Sequence, residues 1–203
     1  MTSFNFVCYH FMDNKTDIET HPWAPFIPDN ARVLIMGTFP PGAHRWSMDF
    51  YYPNPTNDFW RIIGLLYCGD RNALYDADNH RFYLDKIKHL LTLHGIALAD
   101  TGHRIRRLKG NASDKYLEII EPIDLCTLLA AMPSCRNIAT TGEKAAAVVA
   151  DITATGIPAM GQSTTDADGI VIWRMPSTSR AYPLPLERKA EYYRTLLQSC
   201  GAL

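Results

Sequence analysis

Apolar positions along the chain fall into two spacings that alternate from segment to segment. Arg32-Val33-Leu34-Ile35-Met36-Gly37 is a short β-prone apolar run stopped by glycine, the signature of a strand buried on both faces. Ile96-Ala97-Leu98-Ala99-Asp100, Arg136 to Thr141 and Gly169 to Met175 repeat it. Helical spacing lies between these runs. Trp60, Ile62, Ile63, Leu65 and Leu66 predict a helix capped by Asn57 or Asp58 and reaching about Tyr67. Phe82, Leu84, Ile87, Leu90 and Leu91 predict a second over 81–93, ended by Gly95. Further helices are predicted from about Asp124 to Met132, from Gly142 through Ile152, and from Leu186 to Gln198. Strands alternating with helices imply an α/β domain on a mainly parallel, four-stranded sheet with right-handed crossovers. Reactive groups in such sheets sit on loops at the carboxyl ends of the strands.

Residues 1–30 are aromatic, His- and Pro-containing and aperiodic, so they read as an arm wrapped on a single domain formed by 31–203. At 203 residues and 47% hydrophobic composition, one globular domain is expected. No apolar run approaches the ~18 residues of a membrane span, and the N-terminus lacks signal-peptide features. A cytoplasmic monomer with no membrane partner is the expectation.

The balance of 20 Lys+Arg against 21 Asp+Glu disfavours indiscriminate coating of nucleic acid and leaves room for one local patch. Cys8, Cys68, Cys126, Cys135 and Cys200 are scattered and form no CxxC pair. Neither a zinc ribbon nor an iron–sulfur cluster is signalled, and no cofactor is expected. Cys8 and His10 alone specify no metal site.

Gly37-Thr38-Phe39-Pro40-Pro41-Gly42 follows the first strand, but Ala43 and His44 stand where a phosphate loop needs lysine and a hydroxyl. Farther on, Phe50-Tyr51-Tyr52-Pro53-Asn54-Pro55-Thr56-Asn57-Asp58-Phe59-Trp60 sets three consecutive aromatics before two prolines. They cannot all turn inward from one element, so some must face a cavity. An aromatic wall beside amides suits a planar heterocycle.

This segment resembles the first motif of the uracil-DNA glycosylase superfamily, most closely its hypoxanthine-DNA glycosylase branch, which reads approximately GSFP and then FYYGHPxNRFW. Met175-Pro176-Ser177-Thr178-Ser179 is similar to that branch's LPSTSP, and Thr141-Gly142-Glu143-Lys144-Ala145 to its NGxKA turn. The resemblance spans about residues 31 to 199. It implies a three-layer α/β/α sandwich and a monofunctional glycosylase. Such an enzyme flips a deaminated base, hypoxanthine ahead of uracil or xanthine, out of damaged double- or single-stranded DNA and hydrolyses its N-glycosidic bond.

The resemblance places the catalytic asparagine at Asn57. A neutral amide orients water through its carbonyl and donates through its NH2; Asn57 can also serve as a helix cap. Gly37, Thr38 and Phe39 would hold the base, with Phe39, Phe50, Tyr51 or Tyr52 stacking on it. Asp49, Asp58 and Asp100 are the carboxylates near the predicted strand ends. Asp58 follows Asn57, and side chains of adjacent helical residues diverge by about 100°, so one of the two turns away from the site. Pro176, Ser177, Thr178 and Ser179 would meet phosphates, with Arg180 assisting. His103 to Lys109 reads as a basic loop whose Arg104, Arg106, Arg107 and Lys109 would meet the DNA backbone, with Ile105 or Leu108 as a wedge; the alternative is a solvated charged face. Pro53 and Asn54 replace the branch's glycine and histidine, and Asp58 its arginine, at positions that shape the pocket. Two other readings compete: a non-catalytic module recognising a modified base, and a hydrolase of free nucleosides.

Overall fold

The computed structural model describes residues 18–108 and 116–203. Its elements are β1 (Ile18–Thr20), β2 (Val33–Gly37), α1 (Phe59–Cys68), β3 (Tyr75–Asp76), β4 (Arg81–Phe82), α2 (Leu84–His94), β5 (Ile96–Asp100), β6 (Gly102–Arg107), β7 (Leu117–Pro122), α3 (Leu125–Ala130), β8 (Asn137–Thr141), α4 (Glu143–Ile152), β9 (Ser163–Thr165), β10 (Val171–Met175) and α5 (Leu186–Ser199). The four strands expected from the apolar runs are β2, β5, β8 and β10, and they are mutually parallel.

The main sheet runs β5-β2-β8-β10-β9. It therefore has five strands, not four: β9 adds antiparallel to β10 at the edge. Ser163-Thr164-Thr165 is too short and polar to show as a strand in the sequence.

Alternate residues of β2 feed opposite faces. Val33 and Ile35 join α1, α2 and α5 in one core, while Leu34 and Met36 join α3 and α4 in the other. This is a three-layer α/β/α sandwich. β2 is apolar throughout because both of its faces are covered, whereas β8 carries Asn137, Thr140 and Thr141 and β10 carries Arg174.

A small antiparallel sheet, β1-β6-β7, lies beside it. The segment expected as a basic loop is strand β6 through Arg107, and Lys109 lies outside the described residues. Cross-strand partners explain the difference: Ile105 faces Ile119 and Glu19, and Arg106 faces Glu118 and Ile18. Charged side chains on an exposed sheet face carry no strand signal in sequence, yet opposite charges directly across a ladder stabilise it. Helix α2 starts later than expected because Arg81–Phe82 pairs with Tyr75–Asp76 in a hairpin. Of the expected arm, 18–20 form β1, and Phe26 bridges to Leu98 of β5; residues 1–17, including Cys8 and His10, lie outside the described residues.

Candidate active site

The chain runs from β2 outward to β5, then returns to the other side of β2 for β8 and β10. The strand order thus reverses between β2 and β8, where open parallel sheets leave a crevice at their carboxyl ends. A cleft of about 640 Å³ opens there. Gly37, Asp100 and Thr141, the last residues of β2, β5 and β8, line it together with Tyr52. The walls are the Phe39–Pro41 turn, the Asn54–Asn57 turn and Ser177–Arg180.

The floor is tight. Gly37 pairs in register with Asp100, and a Cβ on Gly37 would fall 2.5 Å from Asp100 Oδ1 and 3.3 Å from the Tyr52 hydroxyl. Tyr52 holds φ at +52°, a left-handed backbone that an aromatic residue adopts only under constraint. Its ring stacks on Phe59 with centroids 3.9 Å apart, and its hydroxyl shares a hydrogen bond of 3.2 Å with Thr141 Oγ1. Those contacts fix the strained turn and aim the ring at the floor.

Asn57 lines the cleft just before α1. Its Oδ1 accepts the Phe59 N–H at 2.9 Å, satisfying one of the orphan donors of the helix start. A cap and a cleft residue therefore coincide. What remains for a ligand is the Nδ2 donor pair and the second lone pair of Oδ1.

Asp58 turns away from the cleft, held by partners on α5 and the loop after β10 rather than by helical rotation, since Asn57 precedes the helix. It is buried, accepts Lys189 Nζ at 2.9 Å and lies 3.8 Å from Arg180 Nε. Lys189 also donates to the Ser179 carbonyl at 2.8 Å, while the Asp58 N–H donates to the Thr178 carbonyl at 2.8 Å. The two motif segments, 120 residues apart in sequence, are thus clamped by one buried lysine. Lys189 was not singled out as a site residue, although the sequence marks it: it lies on the apolar stripe of α5 with Leu186, Ala190 and Tyr193, where a charge needs a partner. Asp58 stands where the motif that this segment resembles has arginine, and Arg180 brings a cation to the same corner.

Several expected site residues lie elsewhere. Phe50 and Tyr51 are buried away from the cleft. Phe50 packs in the core against Phe26 and Trp60, and Tyr51 donates to the Ala24 carbonyl at 3.1 Å. Burial, and then the Asp100 charge, push the Tyr51 phenol well above its usual range. Of the four candidate aromatics, Phe39 and Tyr52 line the cleft. Pro176 is buried, its carbonyl accepting from Tyr193. Ser177 and Ser179 reach the surface, whereas Thr178 is buried in the cleft wall.

Arg104, Arg106 and Arg107 do not line the cleft. They pair with Glu121, Glu118 and Glu19, so this run is not a bare cationic patch. Arg107 serves the site indirectly: it donates to the Pro40 carbonyl at 2.7 Å and lies over the Phe39 ring. Ile105 is fully buried and cannot act as a wedge, whereas Leu108 is exposed. Among the described residues, the cations lining the cleft are Arg45 and Arg180.

The sandwich has a solved counterpart. Over 91% of this chain and 99% of the other, the structure superposes with a TM-score of 0.59 and 21% identity on the solution NMR structure of a putative uracil DNA glycosylase from Methanosarcina acetivorans. The fold is therefore the one found in that protein. The sequence matches no family model and no curated protein. No helix among the described residues is long and apolar enough to cross a membrane.

Proposed function

We propose that the chain is a monofunctional DNA glycosylase that extrudes a deaminated base, hypoxanthine ahead of uracil or xanthine, and hydrolyses its bond to deoxyribose. One observation carries this reading. The three segments that resemble the glycosylase motifs, Thr38–Phe39, Asn54–Asn57 and Ser177–Ser179, converge on a single cleft at the carboxyl ends of the parallel strands. Folds of this kind host many activities, so the argument rests on that convergence.

The parts divide the work. Ser177, Ser179, Arg180 and Arg45 face the cleft mouth and suit the phosphates on either side of an extruded nucleotide. Phe39 and Tyr52 offer flat surfaces to the base. Asn57 donates through Nδ2 to the base or accepts from the attacking water through the free lone pair of Oδ1, and its Oδ1 bond to Phe59 locks the amide in place before substrate arrives.

Excision from labelled duplexes holding a single inosine, xanthine or uracil, with abasic sites cleaved by alkali, tests the reading. Wild type should cleave at least one of them, and Asn57→Ala should slow that cleavage about 10²-fold or more. Lesion-specific binding without any abasic product would instead make the chain a recognition module. Turnover of free inosine without preference for DNA would make it a nucleoside hydrolase.

A further inference from the structure

Asp100 is the only carboxylate among the described residues lining the cleft. Its side chain is 8% exposed, and no lysine or arginine among the described residues pairs with it; its ion-pair partner is His21, whose Nε2 lies 3.0 Å from Asp100 Oδ2. Oδ1 faces the other way, against Gly37 on the cleft floor. The carboxylate is thus divided, with one oxygen held from behind and the other turned to the site.

His21 comes from the segment preceding the first core strand, and its ring is fixed on several sides. It stacks on Tyr51 with centroids 5.6 Å apart and meets Phe39 edge-on at 5.3 Å. Its Nδ1 lies 2.8 Å from the Trp23 carbonyl and 3.2 Å from the Trp23 N–H. A neutral ring accepts from that N–H and a charged ring donates to that carbonyl. In the charged ring and in the Nε2–H tautomer of the neutral ring, Nε2–H points at Asp100, so the pair requires that tautomer when the ring is neutral.

Resting on the glycosylase reading above, we propose that Asp100 is a second catalytic residue of the reaction and that His21 is its positioning residue. A departing base leaves its bonding electrons on nitrogen and positive charge on the sugar. A neutral amide at Asn57 cannot balance that charge; a fixed, nearly buried carboxylate does. The C1′–N bond breaks with its electron pair on the base, and water adds through oxygen to C1′. Asp100 Oδ1 receives the proton that the water sheds and returns it to solvent, from which the base anion is protonated. The products are an abasic sugar and a neutral base.

The role of His21 matches that of other imidazole–carboxylate pairs in which one partner holds the reacting group in a single orientation. A residue outside the recognised motifs, on the arm, would thereby complete the site.

The test is saturating and subsaturating excision kinetics on the duplex that wild type cleaves best, with melting curves for each variant. Asp100→Asn preserves shape and hydrogen bonding but removes the charge. It should lower kcat about 10²-fold or more while KM stays within a few-fold. His21→Phe keeps the stacking ring but removes the Nε2–H donor, and should lower kcat about tenfold. His21→Gln, which restores an N–H at nearly the same place, should recover most of that loss.

Asp100→Asn at wild-type kcat, or a loss confined to KM, overturns the proposal and leaves the glycosylase reading standing; in the second case Asp100 is a binding contact. Should Asp100→Asn fail to fold, the His21 pair decides: equal rates for His21→Phe and His21→Gln overturn the positioning role. Wild type inactive on every lesion removes the glycosylase reading, and this proposal with it.

Discussion

Gly37 has a carboxylate oxygen within 2.5 Å of where any other residue would carry its β-carbon. Its φ is ordinary, so the constraint is space, unlike the turn at Tyr52, where the backbone itself is strained. Gly37→Ala would push Asp100 Oδ1 out of place, since the added carbon would sit 2.5 Å from it and a methyl forced into a close-packed site costs about 1–3 kcal/mol. Reduced excision with only a modest fall in denaturation midpoint is the expected result; unchanged kinetics would mean that Asp100 can move freely. Asn57 shows how one side chain serves two purposes. Its cap to Phe59 fixes the start of α1, and the same bond fixes the amide that faces the cleft.

At the scale of elements, the clamp between α1, the loop after β10 and α5 organises the site. Lys189 is fully buried and bonded to both Asp58 and the Ser179 carbonyl. Removing one member of a buried ion pair strands the other charge at a cost of about 3–5 kcal/mol, whereas replacing both by neutral groups costs far less. Lys189→Met should therefore lower stability by about that amount in urea titration, and Lys189→Met with Asp58→Asn should regain much of it. Equal stability of single and double variants would show that solvent relaxes the pair. The small sheet plays a parallel part: Arg107 on β6, held by Glu19 of β1, ties down the carbonyl of Pro40. The Ser177–Ser179 and Phe39–Pro40 walls of the cleft are thus each braced by an element outside the motifs.

Across the whole molecule, a formal charge of -1 means that, on the glycosylase reading, attraction to DNA has to be local. With the arginines of β6 paired to glutamates and away from the cleft, that reading assigns the phosphates to Arg45 and to Arg180, which lines the cleft and stays 56% exposed although it lies 3.8 Å from Asp58. Each phosphate neutralised contributes about one unit to the slope of log affinity against log salt. Arg180→Ala should reduce that slope by about one, while Arg106→Ala, losing a cation already paired with Glu118, should leave it nearly unchanged. The reverse pattern in a salt titration would return DNA binding to β6.

Short β-prone runs by themselves marked the four parallel strands, most plainly β2, whose five residues are all buried and apolar because both of its faces are covered. Helical spacing and glycine stops fixed the helices nearly to their ends, and the motif order marked Gly37, Thr38, Phe39, Asn57 and Ser177 to Ser179 as neighbours. Local pattern could not say which aromatic of Phe50-Tyr51-Tyr52 faces the cleft. That depends on the left-handed turn at Tyr52, which tertiary contacts with Phe59 and Thr141 hold in place. Nor could it show that Arg104, Arg106 and Arg107 are neutralised, since their glutamates come from other strands. His21 left no trace at all, for an aperiodic segment has no periodicity to read. Its pairing with Asp100 spans 79 residues and exists only because Phe26 and β1 lay that segment against β5 and β6. Sequence patterns record what each residue does to its neighbours in the chain; the fold alone decides which distant charges meet.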